Sequence, residues 1–249
     1  MEADLLTVCK NCGNHFKGNY CNNCRQSAKT NRITWKELLN QFLHSLFRFD
    51  KGIIYTIKEL LIHPGKTIRD YLSGKRVYHY NPFKFLLLVG GLSTLFYLSL
   101  NLKLPNEAIE LEKIEAVNIT LAHKFFAAIG FLFMILLTIT DFIFYYKKKY
   151  TLPEIIVSNA FQAGQIMVFT IAMLPVILLQ NYLIQEHHSL INLRSLQKAI
   201  SMGFLFFTRY QFYEAKGNYY LKIKIIVQLV AVYILNNQII NYLIELLQS

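Results

Sequence analysis

Residues 125–146 read FFAAIGFLFMILLTITDFIFYY, twenty-two residues interrupted by a single charge, Asp141. A bilayer core of about 30 Å is crossed by roughly 20 apolar residues in a helix, so this stretch is a membrane span by length and composition. Four further segments have the same character: 85–102, 155–185, 197–213 and 225–244. The segment 155–185 holds no charge and, at 1.5 Å per residue, is longer than a bilayer requires; tilt or a kink at Pro175 is expected to absorb the surplus. The segment 197–213 is the shortest of the five and contains Arg209, expected to snorkel toward the inner surface. The chain is 54% hydrophobic and 16% charged, well short of the ~25% charge of ordinary soluble domains. The expected architecture is therefore mainly α: a polytopic helical membrane protein of about five spans.

Charge orients it. Residues 1–84 contain 14 Lys and Arg against 6 Asp and Glu, so +8 of the net +11 precedes the first long apolar run. With five spans and the N-terminus inside, the inner segments hold 21 basic residues and the outer ones 5. This is the asymmetry of the positive-inside rule, and the C-terminus is then outside. No cleavable signal peptide precedes the first span. The expected location is the inner (cytoplasmic) membrane, multi-pass, with a basic head facing anionic headgroups. The loop before residue 125 carries Glu107, Glu110, Glu112 and Glu115 and reads as a solvated outer connection.

The head divides at about residue 30, into 1–30, a juxtamembrane region 31–82, and the membrane domain 83–249. All four cysteines lie in the first part, as Cys9-Lys10-Asn11-Cys12 and Cys21-Asn22-Asn23-Cys24. Thiolates two residues apart on a tight turn can share one ion, and two such knuckles complete a closed tetrahedral site, for which Zn2+ (structural) is the expected cofactor. The segment has too few apolar side chains for a core, so metal binding would supply its folding free energy. Gly13 and Gly18 suit the turns, and Phe16 and Tyr20 are expected to cover the small apolar face. Two disulfides conflict with a reducing cytoplasm, and no βαβ pattern supports a redox pair.

Between ribbon and membrane, Trp35, Leu38, Leu39, Phe42, Leu43, Leu46 and Phe49 recur at helical spacing opposite polar residues, with Thr34 and Glu37 as a capping box. A second helix is expected over 53–62, stopping at His63-Pro64-Gly65, and a third over 67–72, with Thr67 and Asp70 as its capping box and Gly74 as its stop. The first helix either packs on protein or lies in the headgroup layer. In the second case Trp35, Phe42 and Phe47 would insert, with Lys75 and Arg76 beside them at the membrane surface.

Candidate chemistry inside the membrane is sparse. Asp141, near the inner end of its span, can reach water or pair with a Lys or Arg, a solvated helix end being the favoured reading; Asn159, Gln162 and Gln165 share one face of the next span. These four could line a polar path, although interhelical hydrogen bonding is the commoner use of such residues. No hydrolase, nucleotide-binding, metalloprotease or kinase motif occurs, and no catalytic residue is assigned.

The ribbon with Arg25-Gln26, then Arg32-Ile33-Thr34-Trp35, Asp50-Lys51-Gly52, His63-Pro64-Gly65, Tyr71-Leu72-Ser73-Gly74-Lys75-Arg76 and Pro82-Phe83-Lys84-Phe85-Leu86, resembles the bacterial membrane proteins of the domain-of-unknown-function 3667 family. The resemblance is close over 9–90 and extends to the later spans in pattern only. It departs at Arg25, where such proteins often carry Gly. It implies an architecture and no reaction. The functional expectation is a scaffold or adaptor presenting the ribbon and basic helices at the inner leaflet, to anionic lipid and an unidentified cytoplasmic protein partner. Nucleic acid is the disfavoured partner, although Lys10, Lys17, Arg25, Lys29 and Arg32 would suit its backbone. The alternatives are a small-solute transporter or channel and a membrane-embedded enzyme.

Overall fold

A computed structural model describes residues 6–30, 32–44, 52–99, 126–145, 150–173, 175–176 and 193–248. It is mainly helical. The N-terminal unit holds the two short strands, β1 (Thr7–Val8) and β2 (His15–Phe16), paired antiparallel with Thr7 opposite Phe16. Three head helices follow: α1 (Trp35–His44), α2 (Ile53–Ile62) and α3 (Pro64–Leu72). Five longer ones follow among the described residues: α4 (Pro82–Ser99), α5 (Phe126–Tyr145), α6 (Leu152–Ala172), α7 (Leu193–Phe212) and α8 (Tyr219–Gln248).

Within α5, α6 and α8 lie stretches long and apolar enough to cross a membrane, 127–145, 152–172 and 219–243. The described apolar part of α4, 82–96, is shorter. The twenty residues of α7 include Arg194, Lys198 and Arg209, which lower its apolar character.

Local chemistry explains the helix starts. The side chain of Asn81 accepts the backbone N–H of Phe83 and Lys84 at 3.0 and 3.2 Å, so α4 begins at Pro82, three residues ahead of the expected span. Thr151 and Glu154 form a reciprocal capping box with Pro153 behind it, which moves the start of α6 forward to Leu152. That helix closes at Ala172, with Met173 as its C-cap, short of Pro175. The rest of the expected 155–185 span lies largely outside the described residues.

Two head expectations are corrected. The third helix starts at Pro64, not Thr67, because proline fits the first helical turn. Thr67 is an interior residue whose hydroxyl donates to the carbonyls of His63 and Glu59, and Asp70 pairs with Lys75 at 2.8 Å. In α1 the N–H of Glu37 does reach the Thr34 hydroxyl at 3.3 Å, but the Glu37 carboxylate is taken by Arg76. Residues 45–50 of the expected first helix, with Phe47, lie outside the described residues, as does the side chain of Phe42.

The main core joins head and apolar helices in one cluster: Ile33, Leu60, Ile68, Tyr71, Phe83, Phe85, Leu86, Phe161 and Phe212 are all buried together. Close approach of α4 and α6 depends on Gly164, where an added Cβ would stand 2.5 Å from the Phe85 ring. A second cluster, with Leu137, Leu205, Ile225 and Val232, ties α5, α7 and α8 together.

Candidate metal centre and buried polar cluster

The two cysteine knuckles repeat one backbone design. In each, the residue after the second cysteine returns its N–H to the carbonyl of the first: Gly13 to Cys9 and Arg25 to Cys21, both at 2.8 Å. The N–H of the first cysteine then reaches across the turn, from Cys9 to Asn14 and from Cys21 to Gln26, both at 2.9 Å. Both residues after the knuckles have positive φ, 74° at Gly13 and 63° at Arg25. The left-handed region costs a side-chain-bearing residue roughly 1–2 kcal/mol, which gives the departure at Arg25 a physical meaning. Arg25→Gly should therefore stabilise the ribbon by about 1 kcal/mol. The check is a chelator titration, in which the variant should release its metal at higher chelator concentration than wild type.

Four Sγ atoms converge where the knuckles meet, all within 4.8 Å of one another. Cys9 to Cys24 is 3.4 Å and Cys12 to Cys21 is 3.6 Å, far beyond a sulfur–sulfur bond. Metal–sulfur bonds of about 2.3 Å in a tetrahedron place sulfurs roughly 3.8 Å apart, so the spacing fits one ion of zinc's size. Cys9 and Cys21 are buried with Phe16, and Ala28 packs beside them. Tyr20, expected to help cover this face, is instead 67% exposed and pairs through its backbone with Ser27. His15 is exposed in β2 and lies outside the ligand set. The thiols are electrostatically unlike. The backbone N–H of Cys24 leads in pulling the Cys21 thiol down to about 6, whereas burial leads in pushing Cys24 up to about 11. Four such groups held together are a donor set for a soft or borderline cation.

This unit is fastened to the rest of the protein. The Gln26 amide donates to the Gly74 carbonyl at 2.8 Å and accepts the Arg76 N–H at 3.2 Å. Within the unit, Lys10 donates to the Thr30 carbonyl at 2.7 Å. Arg32 grips Glu154 at the start of α6 with two nitrogens, at 2.6 and 2.9 Å. Arg76, expected at the membrane surface, is turned inward: its side chain is 14% exposed, pairs with Glu37 and lies over the Tyr71 ring. Lys75, 45% exposed, is held by Asp70, and Trp35 is 55% exposed.

The second constellation joins α5, α6, α7 and α8. Asp141, expected to reach water or to pair with a Lys or Arg, takes the second course: it and Arg209, expected to snorkel, are both essentially inaccessible and paired at 2.7 Å. The reason lies in their neighbours. Asp141 also accepts hydrogen bonds from Asn159 at 2.7 Å, Gln228 at 2.8 Å and the Tyr213 hydroxyl at 2.9 Å. Arg209 donates further to the side-chain oxygens of Gln228 at 2.7 Å and Asn159 at 3.2 Å. Gln162 donates to Asn159 and Ser158 at 3.1 and 3.0 Å. A buried ion pair is tolerated when most of its lone pairs and protons are served; amides and a phenol from three neighbouring segments serve both carboxylate oxygens and both terminal guanidinium nitrogens, while Arg209 Nε has no partner among the described residues. Gln165 stands apart, donating to the Leu60 carbonyl at 2.6 Å and accepting from Thr208 at 3.1 Å.

Sequence reasoning chose Asp141, Asn159 and Gln162 but missed Gln228, Tyr213 and the role of Arg209. The available signal was one acid and one base, each about a turn from the same-side end of its own apolar segment. Beside the cluster lies a cavity of about 120 Å3 lined by Tyr145, Tyr150, Tyr213, Tyr220 and Asn218.

Residues 50–94 match the model of a family described as a protein of unknown function, DUF3667. The resemblance drawn from the sequence is thereby shown for that stretch, which holds α2, α3 and the first part of α4; the ribbon lies before it. No curated protein and no solved structure matches the chain.

Proposed function

We propose that this chain, whose residues 50–94 carry the DUF3667 match, is a multi-pass membrane scaffold that holds a zinc-clasped ribbon in a fixed position at the cytoplasmic face of the inner membrane. The observation that carries this reading is the fastening of the head. Arg32 to Glu154, Gln26 to the 74–76 backbone and Glu37 to Arg76 tie ribbon, helices and apolar domain at three separate points. A ribbon on a flexible tether would need none of them. Zinc is the favoured ion because four thiolates suit it and its tetrahedral preference matches the sulfur spacing. The surface so presented is basic, and anionic headgroups and a cytoplasmic protein are the partners it fits.

The polar residues of the apolar helices favour this reading over a solute path. Asp141, Asn159 and Gln162 bind one another and Arg209, so their polarity is spent on holding helices together. Joint substitution of Asp141, Gln162 and Gln165 that leaves membrane levels normal but abolishes complementation of a deletion strain would favour transport instead.

Glu154→Gln tests the fastening. The variant should keep its metal while the 29–36 segment becomes more readily cut by trypsin in native membranes. Crosslinking in the same membranes should capture partners in wild type that are missing in Glu154→Gln and in Cys9→Ser/Cys12→Ser. An identical partner profile in all three would sink the scaffold reading.

A further inference from the structure

The cavity of about 120 Å3 beside the polar cluster is walled by aromatic rings that are already held in place. Tyr145 stacks on Tyr213 with ring centres 4.2 Å apart, and Tyr150 stacks on Phe212 at 4.6 Å. The Tyr213 hydroxyl is spent on Asp141. That of Tyr145 is not: the residue is 4% exposed, and its buried hydroxyl has no hydrogen-bond partner among the described residues. A buried hydroxyl without a partner is costly, so a donor kept in a cavity wall suits an acceptor that arrives from outside.

Charge gives the sign of that acceptor. None of the lining residues is acidic, and the acids nearest to them in the chain are engaged elsewhere: Asp141 by Arg209, Glu154 by Arg32 and Glu214 by Arg69. By contrast, the Lys224 ammonium stands 5.2 and 5.8 Å from the ring centres of Tyr145 and Tyr220, two of the cavity walls, and has no ion-pair partner among the described residues. The start of α8 lies here too. Asn218 caps it by accepting the Leu221 N–H at 3.0 Å, and Asn218, Tyr220 and Leu221 all line the cavity. The unserved N–H groups and the dipole at such a start favour an anion.

Size and lining narrow the class. A cavity of about 150 Å3 accommodates benzene, so about 120 Å3 suits roughly five non-hydrogen atoms. Ile155, Leu221 and the tyrosine rings offer little to solvate a dianion, whereas a monoanion with a short apolar stem meets both the rings and the donors. We propose that the cavity binds a short-chain carboxylate of the size of propionate. Its carboxylate accepts a hydrogen bond from the Tyr145 hydroxyl and faces the Lys224 ammonium, and its alkyl stem lies against the tyrosine rings. Because the lining comes from α5, α6, α8 and the turn after α7, an occupied cavity holds these segments together.

The test titrates propionate onto the purified full-length protein in detergent and follows its methyl signal by saturation-transfer NMR. Binding should saturate at millimolar concentration, and neither 1-propanol nor propylammonium at equal concentration should displace it. Tyr145→Phe and Lys224→Gln should each weaken binding about tenfold, the loss expected for one charge-assisted contact. Since the deleted hydroxyl is unpaired in the empty protein, Tyr145→Phe should melt no lower than wild type when no ligand is present. A Tyr145→Phe variant that melts well below wild type would show that its hydroxyl already serves the fold, and would overturn the proposal. Unsaturable binding, unchanged affinity in both variants, or displacement by 1-propanol or propylammonium would overturn it too. Displacement by inorganic phosphate below the concentration of propionate would make this a phosphate site and equally overturn the assignment.

Discussion

Arg209→Met should prevent the protein from accumulating in a folded form. The substitution fits the space but leaves Asp141 buried without its cation, and breaking one partner of a buried pair costs about 3–5 kcal/mol. That is a large share of the roughly 5–15 kcal/mol by which a domain is stable. Arg209→Lys should rescue poorly, because the guanidinium meets Asp141, Gln228 and Asn159 through two nitrogens at once and one ammonium cannot reproduce that fork. The double change Arg209→Met/Asp141→Leu removes both charges and should recover much of the loss. Thermal melting of detergent-purified protein gives the comparison. A single Arg209→Met variant that melts with wild type would show that the cluster holds nothing together.

Loss of the cysteines should be equally severe, but local. Purified under reducing, chelator-free conditions, the protein should carry one zinc per chain, and Cys9→Ser/Cys12→Ser should carry none. Structural zinc sites contribute roughly 10–16 kcal/mol of binding free energy, far more than the single buried ring of Phe16 can offer the 6–30 segment. The segment should then become protease-sensitive while the Asp141–Arg209 cluster and the melting of the helical domain are little changed. A ribbon that stays protease-resistant without metal would mean that its contacts with Gly74 and Arg76 suffice to fold it.

Both sites were partly legible in the sequence, for different reasons. The ribbon could be read almost whole, because all four ligands lie within sixteen residues and the spacing of Cys9, Cys12, Cys21 and Cys24 states the geometry directly. The positive φ of Arg25 was visible only as a departure from a family pattern. For the polar cluster, the sequence displays Asp141 and Arg209 as charges 68 residues apart; it allows Asp141 a Lys or Arg partner but does not say which one. What brings them together is the joint packing of α5, α7 and α8 in one buried cluster that includes Leu137, Leu205 and Ile225, an arrangement that no local pattern encodes. The head shows the same limit. The periodicity of 53–62 gives a helix, yet the bond from Gln165 to Leu60, which seats it against α6, spans 105 residues.

Sequence separation also sets an order of assembly. At synthesis rates of about 5–20 residues per second, Gln26 waits roughly 2–10 s for Gly74 to follow it off the ribosome, and Arg32 waits roughly 6–24 s for Glu154. All four cysteines are available to one another long before either. During that interval the 6–30 segment is joined to the nascent chain without the Arg32 clamp. Only when α6 is in place can that clamp form, so head and membrane domain become one body as a late event in biogenesis.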